Sequence, residues 1–311
     1  MLWIKRCCFF LLLIMKSAFA IEVAITVEDL PYVGDYEKNP TPRKLQTVQQ
    51  ILDIFKRHHL TGIYGFINGY RVDNEQSREI LRLWVQSGQL LGNHTYSHMD
   101  LVSHSANAYI QDIQKNDPIL IKFMGNKNYH YFRYPYLREG NTEAKREAVR
   151  NYLLHHHYQI AEVTMDFWDY LWNMPYERCL KQKNQNAITY LKTSYVSSSV
   201  NSIQAARDLS HALFQRDIKY ILLLHVGSFD AVMLDEVLTQ YEKAGVQFIS
   251  LPDALSDPVY AINADTVSDT GYTFLNEIRR SRHLPNPPRV TKFYDSIPED
   301  KLSTLCVESK K

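Results

Sequence analysis

The sequence predicts an α/β fold, a barrel of parallel strands, on three observations. Short apolar runs alternate with amphipathic stretches from residue 21 to residue 255, and repeated strand–helix units imply parallel strands with right-handed crossovers. About seven such units within roughly 230 residues favour a barrel over an open sheet. Ionisable residues follow five of the predicted strands at the same end, as expected where strand ends meet on one face of a barrel.

The strands are predicted from runs of apolar, β-branched and aromatic residues. In order they are 23–27, 62–67, 89–93, 129–134, 159–164, 219–224 and 246–251. The last-but-one run, Lys219 followed by "YILLL", has the continuous apolar character of a strand that is buried on both faces.

Helices are predicted between the strands from apolar residues at helical spacing. Thr41 and Pro42 open the first as N-cap and first-turn residue. Asn141 and Asp230 are the expected N-caps of two later helices. The helical stretches include 80–85, 106–124, 142–155 and most of 174–217, and the helix that Asp230 caps ends near 245.

The first 20 residues have the features of a secretory signal peptide. Lys5 and Arg6 precede an apolar run, and Ala18-Phe19-Ala20 has the small-x-small pattern of a cleavage site. The apolar run is too short to span a bilayer comfortably, so no stable membrane span is expected after cleavage. We therefore expect export to the periplasm or secretion.

Three segments follow from these patterns: a signal peptide at 1–20, a catalytic barrel at 21–255, and a C-terminal tail at 256–311. The tail carries one predicted short helix near 272–282 and enough apolar residues to pack on the barrel.

Charge and cysteine content argue against two classes of protein. Removing Lys5, Arg6 and Lys16 with the signal peptide leaves 32 Lys and Arg beside 34 Asp and Glu, a formal charge of −2. This balance, with no Lys/Arg block, argues against nucleic-acid binding. Only Cys179 and Cys306 remain, without a Cys-x-x-Cys, which disfavours a cysteine-ligated zinc site. Whether the two cysteines pair is left open by the sequence.

The five strand ends bring acids and bases together. The residues are Glu28 and Asp29, His94 and His98, Arg133 and Tyr136, Asp166 and Asp169, and finally His225. Adjacent carboxylates repel each other unless a cation lies between them. Two imidazoles four residues apart, with one carboxylate, form a metal-binding set with open positions that suits zinc or ferrous iron.

Acid–base roles can be assigned from the same residues. Glu28 is placed to accept a proton from a metal-activated water, and Arg133 to keep Glu28 ionised. His225 is placed to protonate a leaving amine, with Asp166 orienting His225 and raising its pKa. Asp169 is equally compatible with bracing the following loop. Tyr96 and Trp168 are aromatic residues near the site whose flat faces with a polar edge suit contact with a substrate.

In this order the residues resemble the polysaccharide deacetylase family, the NodB-homology domain of carbohydrate esterase family four. The five motifs are Thr26-Val27-Glu28-Asp29, His94-Thr95-Tyr96-Ser97-His98, Arg133-Tyr134-Pro135-Tyr136, Asp166-Phe167-Trp168-Asp169-Tyr170 and Leu222-Leu223-Leu224-His225. The resemblance runs from about residue 21 to residue 255 and leaves the tail uncovered. It implies a distorted (β/α)7-type, NodB-like barrel, a divalent metal, most often zinc, and hydrolysis of the N-acetyl or occasionally O-acetyl groups of sugars.

The resemblance also implies a role for each matching residue. Asp29, His94 and His98 match the metal ligands, while Glu28 matches the base and His225 the acid. Arg133 and Asp166 match the supports of base and acid, and the backbone N–H of Tyr136 matches the oxyanion donor.

Two departures from the family motifs leave alternatives open. Tyr170 stands where the family has Trp, and Glu28 stands where it has Asp. The added methylene moves the carboxylate by roughly an ångström, which can cost about a hundredfold in rate. Glu28 is then a working base in a re-set loop, the base of a slow or retuned enzyme, or part of a catalytically impaired metal- and glycan-binding module.

Together these observations predict a metal-dependent hydrolase of a carbon–nitrogen amide bond that deacetylates an N-acetylated glycan. A further alternative keeps the chemistry but changes the substrate to a lipid-linked formamido sugar.

Overall fold

The computed structural model describes residues 20–32 and 41–307, so all of the expected signal peptide except Ala20 lies outside the described residues. Within these residues, seven parallel strands form one sheet: β1 (Ile21–Leu30), β2 (Tyr64–Ile67), β3 (Leu90–Asn93), β4 (Tyr131–Phe132), β5 (Gln159–Ile160), β6 (Tyr220–His225) and β7 (Val246–Ile249). The hydrogen-bonded order is β5-β4-β3-β2-β1-β6, and β7 pairs with β1.

The sheet curls into a distorted barrel because the chain that follows β5 reaches β6. Met165 and Leu222 form an isolated parallel bridge, and Leu223 N–H donates to the Met165 carbonyl at 3.0 Å. The predicted fold class is confirmed. The barrel is closed by the bridge between Met165 and Leu222. β4 and β5 are both shorter than predicted. After β5 the chain no longer follows β4, and Thr164 and Met165 hydrogen-bond to β6 instead.

In the part of the chain that the structure describes, eight α-helices surround the sheet or follow its strands. They are α1 (Thr41–Arg57), α2 (Glu75–Gln86), α3 (Ala106–Met124), α4 (Glu143–His155), α5 (Asn173–Lys181), α6 (Gln185–Phe214), α7 (Ser228–Lys243) and α8 (Leu251–Leu255). β1 and β6 are buried almost throughout because helices cover the outer face of the barrel. Within residues 20–32 and 41–307, no helix has the length and apolar character needed to cross a membrane.

Two predicted helix caps are wrong. The N-cap of α4 is Thr142, whose side chain accepts from Lys145 N–H, rather than Asn141. The N-cap of α7 is Gly227, and Asp230 lies inside the first turn. Its carboxylate instead accepts hydrogen bonds from other elements of the core, which explains why this acid is not at the helix boundary.

As far as residue 307, where the described residues end, the C-terminal tail has three α-helices where one was predicted: α9 (Phe274–Ser281), α10 (Pro288–Ser296) and α11 (Glu299–Thr304). They bury apolar side chains in the same core as the barrel, namely Phe274, Leu275, Ile278, Val290, Phe293 and Leu302. Cys179 and Cys306 form a disulfide with a Cα–Cα distance of 5.2 Å, which joins α5 to the end of the tail. The sequence did not reveal α10 and α11, because each makes fewer than three turns and begins at or directly after a proline.

Candidate active site

Glu28 lies near the carboxyl end of β1, where a buried guanidinium holds its carboxylate. Arg133 Nη1 donates to Glu28 Oε1 at 2.7 Å, and Arg133 Nη2 donates to the Thr26 hydroxyl at 3.1 Å. The guanidinium also lies over the Phe66 ring, 4.8 Å from its centroid. Burial raises the pKa of Glu28, and the charge of Arg133 partly offsets that effect. The longer side chain of Glu28 therefore still pairs with Arg133.

The three residues expected to bind metal converge beside Glu28. Asp29 is the next residue of β1, and His94 and His98 lie in the loop that follows β3. Asp29 Oδ1 is 3.8 Å from His94 Nε2 and 3.4 Å from His98 Nε2. One ligand atom from each residue lies within 4.8 Å of the others. This is the donor set of a catalytic divalent-metal site with open positions.

The hydrogen bonds of this group leave its ligand atoms available to a cation. His94 Nδ1 lies 2.8 Å from the Arg133 carbonyl, so Nδ1 carries the proton and Nε2 presents its lone pair. Within the described part of the chain, His94 Nε2 and Asp29 Oδ1 are buried without a hydrogen-bond partner. A buried polar atom without a partner is costly, and one divalent cation would satisfy both. The residues present therefore fit a metal.

The protonation states of the group also suit metal binding. Burial lowers the pKa of His94 and of His98, which favours neutral imidazoles. Burial alone would raise the pKa of Asp29, but His98, Arg71 and His94 hold it well below its usual value. Neutral imidazole and ionised carboxylate are the forms that bind a cation.

His225 ends β6 on the other side of Glu28, and Asp169 fixes its orientation. His225 Nδ1 lies 2.7 Å from Asp169 Oδ1, and the backbone N–H of His225 donates to Asp169 Oδ2 at 2.6 Å. His225 Nε2 lies 3.8 Å from Glu28 Oε2. Burial would lower the pKa of His225, but Asp169, with help from Glu28 and Asp29, raises it to about 10. The imidazole is thus held protonated with Nε2 facing Glu28.

The expectation that Asp166 orients His225 is wrong, because Asp169 occupies that position. Asp166 instead accepts a hydrogen bond from Trp168 N–H at 2.7 Å and lines the cavity described below. Burial, only partly offset by Trp168 N–H, raises the pKa of Asp166 to about 7, and the charge of Asp169 adds to this rise. The chain turns at Trp168, where φ is 58°, and this turn carries Asp169 inward to His225.

Five motif residues have left-handed backbone conformations: Asp29 (φ 61°), Thr95 (φ 60°), His98 (φ 56°), Tyr136 (φ 59°) and Trp168 (φ 58°). Such conformations cost on the order of 1–3 kcal/mol each for residues other than glycine, and they cluster at active sites. The strain is spread over four of the five motifs, which supports a shared functional site.

A cavity of about 720 Å³ opens over the acid–base residues and is lined by Tyr136 and Trp168, as expected of substrate contacts. The Tyr170 ring lies beside His225, with ring centroids 5.3 Å apart. Tyr96, the third expected substrate contact, is not among the described residues that line this cavity. Its ring covers Gly69, where an added Cβ would lie 2.6 Å from Tyr96 Cδ2.

Arg71 is a site residue that the sequence did not reveal. It lies in a 3₁₀ turn, Gly69–Arg71, that follows β2. Its Nη1 is 3.5 Å from Asp29 Oδ2 and donates to the Asp29 and Tyr32 carbonyls at 3.3 and 3.2 Å. No predicted motif contains Arg71, and its proximity to Asp29 depends on the pairing of β1 with β2.

The tail also contacts the motif loops, through Gly271. A Cβ added at Gly271 would lie 1.7 Å from the carbonyl oxygen of Tyr136. Only a residue without a side chain allows this approach, so Gly271 determines where the backbone of Tyr136 lies.

We expect Gly271→Ala to lower kcat/KM about a hundredfold, because displacing Tyr136 by roughly an ångström misplaces the cavity wall. The measurement is kcat/KM on the substrate that supports turnover, together with a thermal unfolding curve. Gly62→Ala is the control for loss of stability, since Gly62 has a positive φ of 72° and its added Cβ has nothing within 4 Å. Equal losses of activity in the two variants would show that Gly271 acts only through stability.

A family model described as polysaccharide deacetylase matches residues 20–161. A peptidoglycan-N-acetylmuramic acid deacetylase of Bacillus subtilis is 23% identical over 228 residues, which cover 73% of this chain and 70% of the relative. A peptidoglycan-N-acetylglucosamine deacetylase of Bacillus cereus is 26% identical over 233 residues, 74% of this chain and 67% of the relative.

Two fungal proteins are also similar to this chain. A chitin deacetylase of Arthroderma benhamiae is 22% identical over 237 residues, 76% of this chain but only 52% of the relative. The solved structure of the chitin deacetylase of Colletotrichum lindemuthianum has a TM-score of 0.54 at 21% identity, covering 76% of this chain and 88% of that one. This structural similarity supports the curled parallel fold.

Proposed function

We propose that this chain, which a polysaccharide deacetylase model matches over residues 20–161, is an exported, metal-dependent hydrolase that removes N-acetyl groups from a glycan. The observation that carries the proposal is the meeting of three groups at one end of the barrel. They are the Asp29–His94–His98 group, the Glu28–Arg133 pair and the His225–Asp169 pair. The first offers metal ligands, the second a base and the third an acid.

Asp29, His94 and His98 would hold a divalent cation, which we take to be zinc. When bound, such a cation supplies Lewis-acid chemistry and lowers the pKa of a water molecule toward neutrality. His94 is oriented for this by its bond to the Arg133 carbonyl, and Asp29 by Arg71.

The remaining residues divide the proton transfers. Glu28, buried and with a raised pKa, takes a proton from the attacking water. The backbone N–H of Tyr136 donates to the oxygen that becomes negative in the tetrahedral intermediate. His225 Nε2 then gives its proton to the departing nitrogen, and Asp169 stabilises the charged imidazole until that step. The products are acetate and a free amino sugar.

The substrate class follows from the relatives and the cavity. The curated relatives are peptidoglycan and chitin deacetylases, so we propose an N-acetylated hexosamine polymer for this chain. The cavity wall includes the aromatic rings of Tyr136, Trp168, Tyr272 and Tyr294. Aromatic faces of this kind suit the apolar faces of sugar rings.

Product analysis with and without metal tests the proposal. Residues 21–311 would be stripped with a chelator, reloaded with Zn²⁺, and incubated with N-acetylglucosamine oligomers and with peptidoglycan. We expect acetate release that the chelator abolishes and the metal restores. Formate release from a formamido sugar, without acetate from either glycan, would instead support the deformylase alternative. Metal binding without release of either acid would support a glycan-binding module.

A further inference from the structure

The C-terminal tail supplies much of the cavity wall beside the acid–base residues. The tail residues that line it are Thr270, Gly271, Tyr272, Thr273, Asn276, Arg279, Arg280, Asn286 and Tyr294. None of the five motifs contributes this wall, so it lies outside the part of the chain that carries the family resemblance. Its chemistry can therefore be considered separately from the hydrolytic step.

Two arginines of this wall have no acidic partner. Arg279 donates to the Asn276 side chain and to the Leu284 carbonyl, which are both uncharged acceptors. The Arg280 guanidinium lies over the Tyr272 ring, 4.3 Å from its centroid. Neither arginine forms an ion pair with any carboxylate in the described stretches of the chain. Two positive charges are thus held at the cavity without local neutralisation.

The charged groups that line the cavity outside the tail belong to the acid–base and metal groups or have their own partners. His225 pairs with Asp169, and the Asp166 carboxylate accepts a hydrogen bond from Trp168 N–H. Arg138 makes an ion pair with Asp100 at 2.5 Å. Glu28 pairs with Arg133 at 2.7 Å, and Asp29 belongs to the proposed metal site. The part of the wall that the tail contributes therefore carries two arginines and no acidic residue.

Asn286 adds an unsatisfied polar group to the same wall. Its Oδ1 is buried and has no hydrogen-bond partner among the described residues. Buried amide oxygens nearly always have a donor, so a ligand hydroxyl or amide hydrogen would satisfy Asn286.

We propose that the tail forms a subsite for a negatively charged substituent of the glycan, a carboxylate or a phosphate, beside the sugar that is deacetylated. Guanidinium groups recognise both anions through paired hydrogen bonds. Stacking on Tyr272 holds the Arg280 guanidinium at the cavity before a ligand arrives, which limits the entropy lost on binding. The inference rests on the proposed function for the identity of the sugar polymer, but the anion preference can be measured without turnover.

The test is a set of binding titrations on residues 21–311 after chelator treatment, so that hydrolysis cannot contribute. The probes are a disaccharide of N-acetylglucosamine, a disaccharide containing N-acetylmuramic acid, and N-acetylglucosamine disaccharide carrying a 6-phosphate. We expect at least one anionic probe to bind about tenfold or more tightly than the neutral one. The tighter of the two anionic probes identifies the substituent.

Arg280→Gln should remove this preference while leaving affinity for the neutral probe unchanged. Arg282→Gln is the matched control, since Arg282 lies two residues away over the Phe214 ring and does not line the cavity. The proposal is overturned if all three probes bind wild type equally, or if Arg280→Gln and Arg282→Gln lose the preference alike. Failure of the proposed function would appear differently, as anion-selective binding without acetate release from the metal-loaded protein.

Discussion

Asp169→Asn is expected to lower kcat by about a hundred- to ten-thousandfold, the range for losing the partner that orients a catalytic histidine. Both oxygens of Asp169 contact His225, one at Nδ1 and one at the backbone N–H. An amide in its place can keep the contact with the backbone but no longer supplies the negative charge. The acid would then lose both its orientation and its charge stabilisation.

The same variant should change the pH profile in a defined direction. Asp169 is the largest influence that raises the pKa of His225, and burial opposes it. Without the carboxylate the pKa falls, so the protonated acid disappears at lower pH. The alkaline limb of kcat/KM against pH therefore moves to lower pH. Because a bound cation would offset Glu28 and Asp29 rather than Asp169, the direction holds in the metal-loaded protein.

Asp166→Asn is the matched control for this prediction. Asp166 lines the same cavity but contacts Trp168 N–H instead of His225. We expect this variant to lose less than about tenfold in kcat. The alkaline limb of its kcat/KM against pH should stay where it is in the wild type. If Asp166→Asn moves the alkaline limb and Asp169→Asn does not, Asp166 is the residue that raises the pKa of His225, as the sequence analysis predicted.

Glu28→Gln should lower kcat about a hundred- to ten-thousandfold without loss of bound metal. Glutamine keeps the shape of Glu28 and can still accept from Arg133, but it cannot take a proton from water. Asp29→Asn is the comparison, because it removes a proposed ligand and should lower metal affinity. Metal content per chain, measured after dialysis against a defined free Zn²⁺ concentration, separates the two effects.

This comparison is needed because Glu28 Oε2 lies 3.6 Å from His94 Nε2, about as close as Asp29 Oδ1 at 3.8 Å. Glu28 thus has the reach to become a ligand itself. A loss of metal in Glu28→Gln as large as that in Asp29→Asn would show that Glu28 binds the cation, and the assignment of Glu28 as base would then be wrong.

The fold class and the family resemblance predicted from the sequence are confirmed. Both rest on local signals: apolar runs mark buried strands, and the motif residues follow those strands directly. The lengths of β4 and β5 were not predictable in this way, because they depend on where the chain crosses to β6 to form the Met165–Leu222 bridge.

Much of the site could also be read from sequence, because strands of a parallel barrel deliver their ends to one face. Choosing between Asp166 and Asp169 required the backbone conformation of Trp168, which spacing does not reveal. Arg71 approaches Asp29 only through the pairing of neighbouring strands. The sequence pattern also did not predict that the tail forms part of the cavity wall. Gly271 and Arg280 reach the cavity only through tertiary packing.

The most direct test of the account is the rate of acetate release by Zn²⁺-loaded residues 21–311 beside the Glu28→Asp variant, on N-acetylglucosamine oligomers and peptidoglycan. Because the Glu28 carboxylate already pairs with Arg133 at 2.7 Å, the shorter side chain should lose that contact. We therefore predict that wild type releases acetate and that Glu28→Asp is slower. Acetate release by Glu28→Asp alone would contradict the account, since it would show that Glu28 holds the base out of position and that the natural protein binds glycan without hydrolysing it.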